Sequence, residues 1–250
     1  MRITTLNVNG LRAAHKRGFL AWLHRHSPDV LMLQEVRARL DDLPAELTQA
    51  PGWHKAWMPA AKPGYSGTAI WSREPGEPLA PLGQPRSIDE GRVIGRRFGE
   101  LEVYSVYAPS GSAGEERQAW KMAFLEAFEP WLAGLLASGR PVVFGGDINI
   151  AHQVIDIRNA KANMKNSGFL PEERAWMDTL FACGWRDLFR ERWPERVAYS
   201  WWSARGAARA KDVGWRIDYL IGSPALRLGD ADIERDADLS DHAPVTVTLT

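Results

Sequence analysis

Several carboxylates and amides in this chain sit where an apolar run gives out. The stretch PVVFGGDIN, Pro141 to Asn149, passes from Val142, Val143 and Phe144 through two glycines to Asp147 and Asn149, the pattern of a buried strand that ends by presenting polar groups. The same grammar recurs elsewhere. ITTLNVN ends in Asn7 and Asn9, VLMLQE ends in Glu35, RIDYLI carries Asp218 inside an apolar run, and SDHAPV sets Asp241 and His242 ahead of another strand. If these ends meet, one mouth holds Glu35, Asp147, Asp218 and Asp241. Crowded carboxylates repel, and a site that keeps them ionised at neutral pH requires a cation. Glu35, Asp147 and Asp241, with the amide oxygens of Asn7 and Asn149, offer oxygen alone, which points to Mg²⁺ or Mn²⁺ rather than zinc. Magnesium held by few protein groups usually serves a phosphate substrate. His242 adds an imidazole that a buried acid such as Asp218 could hold in the tautomer for general-base work. Singly, each residue is ordinary turn chemistry; together they spell metal-assisted phosphoester hydrolysis.

The elements that must position these groups can be read from periodicity. Arg2 to Val8 and Asp29 to Gln34 read as strands, with an amphipathic helix over His15 to Arg25 between them and a short helix over Leu40 to Leu47 after them. Aromatic strands follow around Trp53 to Met58 and Thr68 to Ser72. After a proline-glycine loop over Pro75 to Pro85, Arg92 to Phe98 and Leu101 to Tyr107 form a hairpin about Gly99. A long helix from about Gly114 to Leu136 is expected to kink at Pro130. Ala151 to Phe169 has no strong period and many amides and bases, the composition of a functional loop. Pro171, with Glu172 and Glu173 in the first turn, opens a helix through Phe181. Strands at about Tyr199 to Trp202, Ile217 to Ile221 and Val245 to Leu249 close the chain. Strand pairs and helices together favour a layered α/β sandwich, and the absence of GxGxxG and P-loop motifs argues against a dinucleotide or NTPase fold.

At 250 residues the chain is expected to form one domain over residues 1–250 with a sizeable core. Its composition, 45% hydrophobic and 25% charged, is that of a soluble globular protein. The lone cysteine, Cys183, excludes an internal disulfide framework, suits a reducing compartment and reads as a small buried hydrophobe. No run approaches membrane-spanning length and the N-terminus has no apolar signal core, so a cytoplasmic location and no membrane partner are expected. The net charge of +0 conceals an uneven distribution. Acidic residues gather between Asp230 and Asp241, and basic ones at Arg86 to Arg97, Arg158 to Lys165 and Arg205 to Arg216, which is either a polarised surface or three solvated loops.

The ordered set LNVNGLRA, LQE, GYSG, DEGRVI, VYAPSG, GDINIAH, NSGFLPEERAWM, GWRID and SDHAPV closely resembles exonuclease III, the abasic endonuclease branch of the endonuclease/exonuclease/phosphatase superfamily. The resemblance covers nearly the whole chain. GDxN and SDH alone would recruit the wider superfamily; NSGFLPEERAWM and GWRID narrow it to DNA repair. It implies a four-layered α/β sandwich, two packed sheets flanked by helices, with the active site at one edge. It implies Glu35 as the principal metal carboxylate, assisted by Asp241 and Asn7, and Asp147 as the residue that positions or deprotonates the water or protonates the leaving oxygen. Asn149 resembles the transition-state stabiliser, Tyr107 the phosphate-contacting tyrosine, and Asp218 with His242 the family's acid and imidazole pair. By similarity Asn159, Asn163 and Asn166 contact phosphate or orient the site, and Trp201, Trp215 and Ile217 line a pocket for an extra-helical abasic sugar. Arg92 would hold the DNA backbone, with Arg12 and Arg37 in the same role, and Arg205 lies where relatives place a duplex wedge.

Two departures stand out. SGSAGEERQ, after Tyr107, is short beside the enterobacterial type, and Asn9 stands where some relatives have an acid. The expected activity is Mg²⁺-dependent incision of duplex DNA 5′ to an abasic site, with 3′ phosphodiesterase and 3′-to-5′ exonuclease activity, by a monomer whose partner is double-stranded DNA with abasic or damaged 3′ ends. The rivals are a small-molecule or lipid phosphodiesterase built on the same metal site, and a catalytically silent DNA-binding module. The first would need neither the tryptophan pocket nor the basic loops, and the second would have lost a metal carboxylate or the dyad.

Overall fold

A computed structural model describes residues 1–250. In chain order the elements are β1 (Arg2–Asn7), α1 (Leu11–Lys16), α2 (Phe19–His26), β2 (Val30–Gln34), α3 (Ala45–Thr48), β3 (His54–Met58), β4 (Thr68–Ser72), β5 (Glu77–Leu79), α4 (Pro85–Asp89), β6 (Val93–Phe98), β7 (Leu101–Tyr107), α5 (Glu115–Ala137) and β8 (Val142–Asp147). They continue with α6 (Ala160–Asn163), α7 (Pro171–Ala182), β9 (Arg186–Asp187), α8 (Leu188–Arg192), β10 (Trp201–Trp202), β11 (Gly214–Trp215), β12 (Asp218–Gly222), β13 (Leu228–Ile233) and β14 (Val245–Leu249). Two mixed six-stranded sheets result, ordered β13-β14-β1-β2-β4-β3 and β5-β6-β7-β8-β12-β9, with β10 and β11 as a separate ribbon. The sheets pack face to face across Ile3, Met32, Ile70, Val103, Val143, Leu220 and Val245. Helices cover the outer faces. α5 and α7 lie over Phe144 and Tyr219, while α1 and α2 cover Leu6, Leu31 and Trp71. This is the expected four-layered sandwich, and it explains why β2, β4 and β8 read as continuous apolar runs: both faces of each strand are buried.

Register aligns the polar strand ends. β7 runs parallel to β8 with Tyr107 opposite Asp147, and β12 runs antiparallel to β8 with Asp218 opposite Asp147. In the other sheet β1 runs parallel to β2, with Asn7 opposite Gln34 and therefore one step from Glu35. Because side chains alternate at period two, a single-residue slip on β8 would turn Asp147 away from the mouth. The glycines before Asp147 are dictated by close approach. A Cβ on Gly145 would lie 2.0 Å from the Tyr219 carbonyl oxygen, and one on Gly146, at φ +130°, would lie 2.2 Å from the Val106 oxygen.

Several local expectations are corrected. The helix expected over His15 to Arg25 is two helices, broken at Gly18, whose φ of 91° caps α2. The helix expected over Leu40 to Leu47 is a 3₁₀ turn, Leu40–Asp42, followed by the short α3. Pro130 does not interrupt α5. It and Glu126, whose carbonyl loses a partner, both face solvent, while Phe124, Phe128 and Leu132 hold the opposite face in the core. Cys183 is exposed, because it lies past the last buried turn of α7. The acidic stretch is partly neutralised by arginines outside the basic stretches, Asp230 pairing with Arg192 and Asp232 with Arg196, while Asp212 of a basic stretch pairs with Arg235 of the acidic one.

Candidate active site

The strand ends converge on a cavity of about 620 Å³ lined by Glu35, Tyr107, Asp147, Asn149, Asp241 and His242 on one side and by Trp201, Trp215 and Ile217 on another. Asn9, Arg37, Ser110, Gly111, Ser112, Gly114, Lys165, Asn166, Ser167 and Gly168 complete its rim. Asn9, Glu35, Arg37 and Asn149 all have left-handed backbone, with φ of 45°, 51°, 51° and 58°. Such conformations cost of order 1–3 kcal/mol each for a non-glycine residue and cluster at functional sites. Here they turn each side chain from the end of its strand into the mouth.

Asn7 joins the two sheets. Its Nδ2 donates to Glu35 Oε1 and to Asp147 Oδ2, both at 2.9 Å, and its Oδ1 accepts from the Asn9 amide. In this orientation Asn7 shows its N–H groups to the two carboxylates and so positions them. Glu35 Oε2 accepts from Arg37 Nε at 2.9 Å and also from Nη2. Arg37 is thereby committed to a site carboxylate instead of standing free on the surface.

Asp147 is buried, and its Oδ1 accepts from the Asn149 backbone amide. Burial, reinforced by the charges of Asp218 and Glu35 and opposed by His242, pushes its carboxyl up to about 7. His242 Nδ1 lies 2.9 Å and 3.1 Å from the two oxygens of Asp218, and its Nε2 is 3.9 Å from Asp147 Oδ2. Burial alone would lower the imidazole, but the adjacent Asp218 outweighs it and holds His242 up at about 10. Held this way against Asp218, His242 is biased toward its protonated, positively charged form. Ser200 fixes the acid of this pair, donating to Asp218 Oδ2 at 2.7 Å while accepting the amides of Ile217 and Asp218.

Asp147, Asp218 and His242 are the tightest group of metal-capable side chains, with ligand atoms within 4.8 Å of one another. The imidazole nitrogen and Asp218 are already committed to each other, so this trio reads as a proton and charge relay. The oxygen donors that open to the mouth are Glu35, which already draws the Arg37 guanidinium, with Asp241 and the Asn149 Oδ1; this all-oxygen set fits a hard divalent ion. Burial would raise Asp241, yet the His242 charge and donors from Asn9, Trp201 and Ser240 hold it below the usual carboxylate range.

Asn149 gives one Nδ2 hydrogen to the Ala108 carbonyl at 3.0 Å, which leaves the other for a ligand. Tyr107 keeps its phenol proton, because burial and then the charges of Glu35 and Asp147 push it well above its ordinary range. Beneath it lies Arg92, and here another expectation is corrected. Arg92 is 0% exposed, its guanidinium donating to Glu90, the Tyr107 carbonyl and the Tyr65 hydroxyl and lying 4.8 Å from the Tyr107 ring centroid. It cannot touch a DNA backbone; it props the tyrosine. Arg216, counted among the basic loops, is likewise fully buried, between Asp156 and Asp187 at 2.7 Å each.

Of the expected phosphate-contacting amides, Asn166 lines the cavity while Asn159 and Asn163 do not. Asn163 Nδ2 donates to the Asn159 carbonyl, and Asn166 Nδ2 to Asn163 Oδ1, stitching the turn of α6. Trp201 and Trp215 face each other across the β10–β11 ribbon, edge to face at 6.2 Å. Both are half-buried, unlike the core Trp71 and Trp202. Arg205 is exposed in the loop after β10.

Sequence reasoning missed a buried ion pair behind the rim. Lys121 Nζ meets Glu173 Oε1 at 2.6 Å and the Asn149 carbonyl at 2.7 Å, and Glu173 Oε2 accepts the amides of Gly168 and Leu170. Pro171 and the acids after it marked a helix start, but Lys121 gave no signal, being one lysine on a helix whose other buried residues are apolar.

The chain matches the model of the Endonuclease/Exonuclease/phosphatase family over residues 4–242. It is 41% identical over 255 residues to a DNA repair nuclease of Danio rerio, covering 100% of this chain and 82% of that protein. It is 39% identical to an exodeoxyribonuclease of Bacillus subtilis, covering 100% and 99%. Among solved structures, an AP endonuclease from Archaeoglobus fulgidus superposes with a TM-score of 0.89 at 26% identity, over 100% of this chain and 99% of the other. A 3′ phosphatase from Neisseria bound to a product DNA hairpin superposes with the same TM-score at 30% identity and the same coverage.

Proposed function

Because the chain belongs to the endonuclease/exonuclease/phosphatase family, we propose that it is a divalent-metal-dependent DNA repair phosphodiesterase that cuts duplex DNA 5′ to an abasic site and trims damaged 3′ ends. The observation that carries this reading is the joining of two things in one cavity. The Asp218, His242 and Asp147 relay, with Glu35 beside it, shares its walls with the Trp201, Trp215 and Ile217 pocket. A headgroup phosphatase would have the first without need of the second. A silent binding module would not keep Asp147 and His242 so placed.

The chain's own groups divide the work. Asp147, a buried carboxyl held near neutrality, accepts and returns a proton at the attacking water or the leaving oxygen. The His242 cation, the free Asn149 N–H and the protonated Tyr107 hydroxyl face the developing charge of the phosphate. Glu35, with Asp241 and the Asn149 oxygen, would hold Mg²⁺, or Mn²⁺ in its place, which supplies Lewis-acid neutralisation of phosphate charge when bound. Trp201, Trp215 and Ile217 admit a sugar without its base and exclude a normal nucleotide, with Asn166 at the rim on the backbone. The reading includes a monomer acting in the cytoplasm, which the lone Cys183 suits.

The test is a duplex carrying one abasic analogue, assayed with Mg²⁺ and with EDTA beside an intact duplex. Cleavage only of the abasic strand, and only with metal, is the expected result. No cleavage with Mg²⁺, or cleavage undiminished by EDTA, overturns it.

A further inference from the structure

Trp201 does more than wall the pocket. Its indole Nε1 donates to Asp241 Oδ2 at 3.1 Å. On the other carboxylate oxygen, Oδ1, Asp241 accepts from Asn9 Nδ2 at 2.9 Å and from Ser240 Oγ at 3.1 Å. A carboxylate has about four lone-pair sites, two on each oxygen. Both sites on Oδ1 are therefore filled and one on Oδ2 is taken by the indole, so the Trp201 N–H sets the direction in which the last free site of Asp241 points. The connection does not stop there. The Asn9 backbone amide donates to Asn7 Oδ1, and Asn7 Nδ2 donates to Glu35 and to Asp147. One unbroken run of hydrogen bonds thus leads from an aromatic wall of the pocket, through Asp241 and two asparagines, to the two carboxylates of the mouth.

We propose that Trp201 is a positioning residue for the metal site, its indole N–H orienting Asp241 for a divalent cation while its ring walls the pocket. Two further contacts fix the indole for this task. Trp201 bridges His242 through the backbone and packs its ring against that imidazole at 6.4 Å, and the Trp202 amide donates to the Asp241 carbonyl. A phenylalanine would fill much of the same wall but could not donate. Groups that orient a metal ligand from behind usually cost 10–100-fold in metal affinity when removed. Since Asn9 and Ser240 would still hold Oδ1, the loss of the indole N–H belongs at the low end, roughly tenfold.

The inference rests on the proposed function for the pocket but not for the metal link, and its test separates the two. Mn²⁺ binding to the DNA-free protein is measured by electron paramagnetic resonance for the native chain and for Trp201→Phe, with thermal unfolding to establish that the variant is folded. The expected result is about tenfold weaker Mn²⁺ binding at near-native melting temperature; binding equal to the native chain overturns the proposal. Should Trp201→Phe unfold, the indole N–H proton of Trp201 is followed in the native protein by NMR during a Mg²⁺ titration. A resonance that moves and saturates with the metal supports the link, and one that stays fixed overturns it. Failure of the native chain to cut abasic duplex would sink the DNA reading while leaving the Mn²⁺ result intact.

Discussion

Replacing Lys121 with methionine should destabilise the protein and slow the chemistry together. Lys121 and Glu173 are both 0% exposed, so the ammonium is the charge that balances a carboxylate in the core. Burial lowers the lysine, and Glu173 opposes that shift. Removing one partner of a buried pair costs about 3–5 kcal/mol, because the survivor is left as an uncompensated charge. In this case Glu173 keeps the amides of Gly168 and Leu170 at 2.7 Å and 3.0 Å, Gln118 Nε2 at 3.1 Å and Ser167 Oγ at 3.4 Å. These donors place the cost near the bottom of the range, about 3 kcal/mol. In a chain of this length each kcal/mol moves the melting midpoint by about 2–4 °C, so Lys121→Met should melt about 6–12 °C lower. The same substitution strips the donor from the Asn149 carbonyl and loosens the Ser167–Gly168 rim. On an abasic duplex kcat should therefore fall more than KM rises, at a temperature where the variant is fully folded. Adding Glu173→Gln removes the stranded charge, and the double variant should be more stable than Lys121→Met alone. A single variant within about 1 kcal/mol of the native chain, or a double variant whose loss is the sum of the two single losses, would refute the reasoning.

Three other outcomes are expected. Asp218→Asn offers His242 Nδ1 an N–H in place of a carboxylate and removes the charge that keeps the imidazole protonated, so kcat should fall by a factor on the order of 10²–10⁴ with DNA affinity nearly unchanged, as single-turnover cleavage and fluorescence anisotropy would report. For Asp156, burial opposes ionisation, but the charge of Arg216 and then Arg190 outweighs it and holds the carboxyl down to about 2. Its folded value lies below the unfolded one, so its stabilisation is complete above about pH 4 and is lost as pH falls towards 2; urea unfolding between pH 5 and 2.5 should show about 2 kcal/mol lost on this account, a component absent from Asp156→Asn. Gly168→Ala places a Cβ 3.0 Å from the Trp215 ring and 3.2 Å from the Asn149 carbonyl oxygen at a φ of +94°. That backbone costs about 1–2 kcal/mol for alanine, and the displaced ring should lower kcat/KM for abasic duplex far more than binding of intact duplex, as parallel kinetics and anisotropy would reveal.

What could be read from the chain alone follows from which interactions are local. Strands β2, β4 and β8 were legible from their short apolar runs and β1 and β14 from Ile, Leu and Val interleaved with threonine, and the polar residues that close β1, β2 and β8 were legible by contrast with them. The roles of Arg92 and Arg216 were not, since an arginine reads as surface until the topology shows Glu90, Asp156 and Asp187 closing over it. The same limit hid Lys121 and Glu173, which lie 52 positions apart, and Ser200, whose hydroxyl gathers the two backbone amides that fix Asp218. Short elements failed for another reason. α1, α3, α4 and α8 are held by tertiary packing, and none spans enough turns to leave a period. The direction of the Asn7 amide could not be read either, because which end of an amide faces the carboxylates is decided by partners on other strands.

That amide explains why the site needs two sheets. Glu35 closes a strand of one sheet and Asp147 a strand of the other, and β-sheets stacked face to face can slide by fractions of an ångström without losing a backbone hydrogen bond. Two groups resist such sliding near the mouth. Asn7 spends one hydrogen of Nδ2 on Glu35 within its own sheet and the other on Asp147 across the gap, and Gln34, fully buried, donates to Thr5 Oγ1 within its own sheet and to Ser105 Oγ in the facing one at 2.9 Å. Buried polar groups of this kind add little net stability over well-packed apolar side chains, but they are satisfied in one alignment of the sheets and in no neighbouring one. The distance between the carboxylate offered to the cation and the carboxylate offered to the proton is thus fixed by amides at the sheet interface. The hydrophobic core that surrounds them supplies the stability, and its side chains are indifferent to the last few tenths of an ångström on which the chemistry depends.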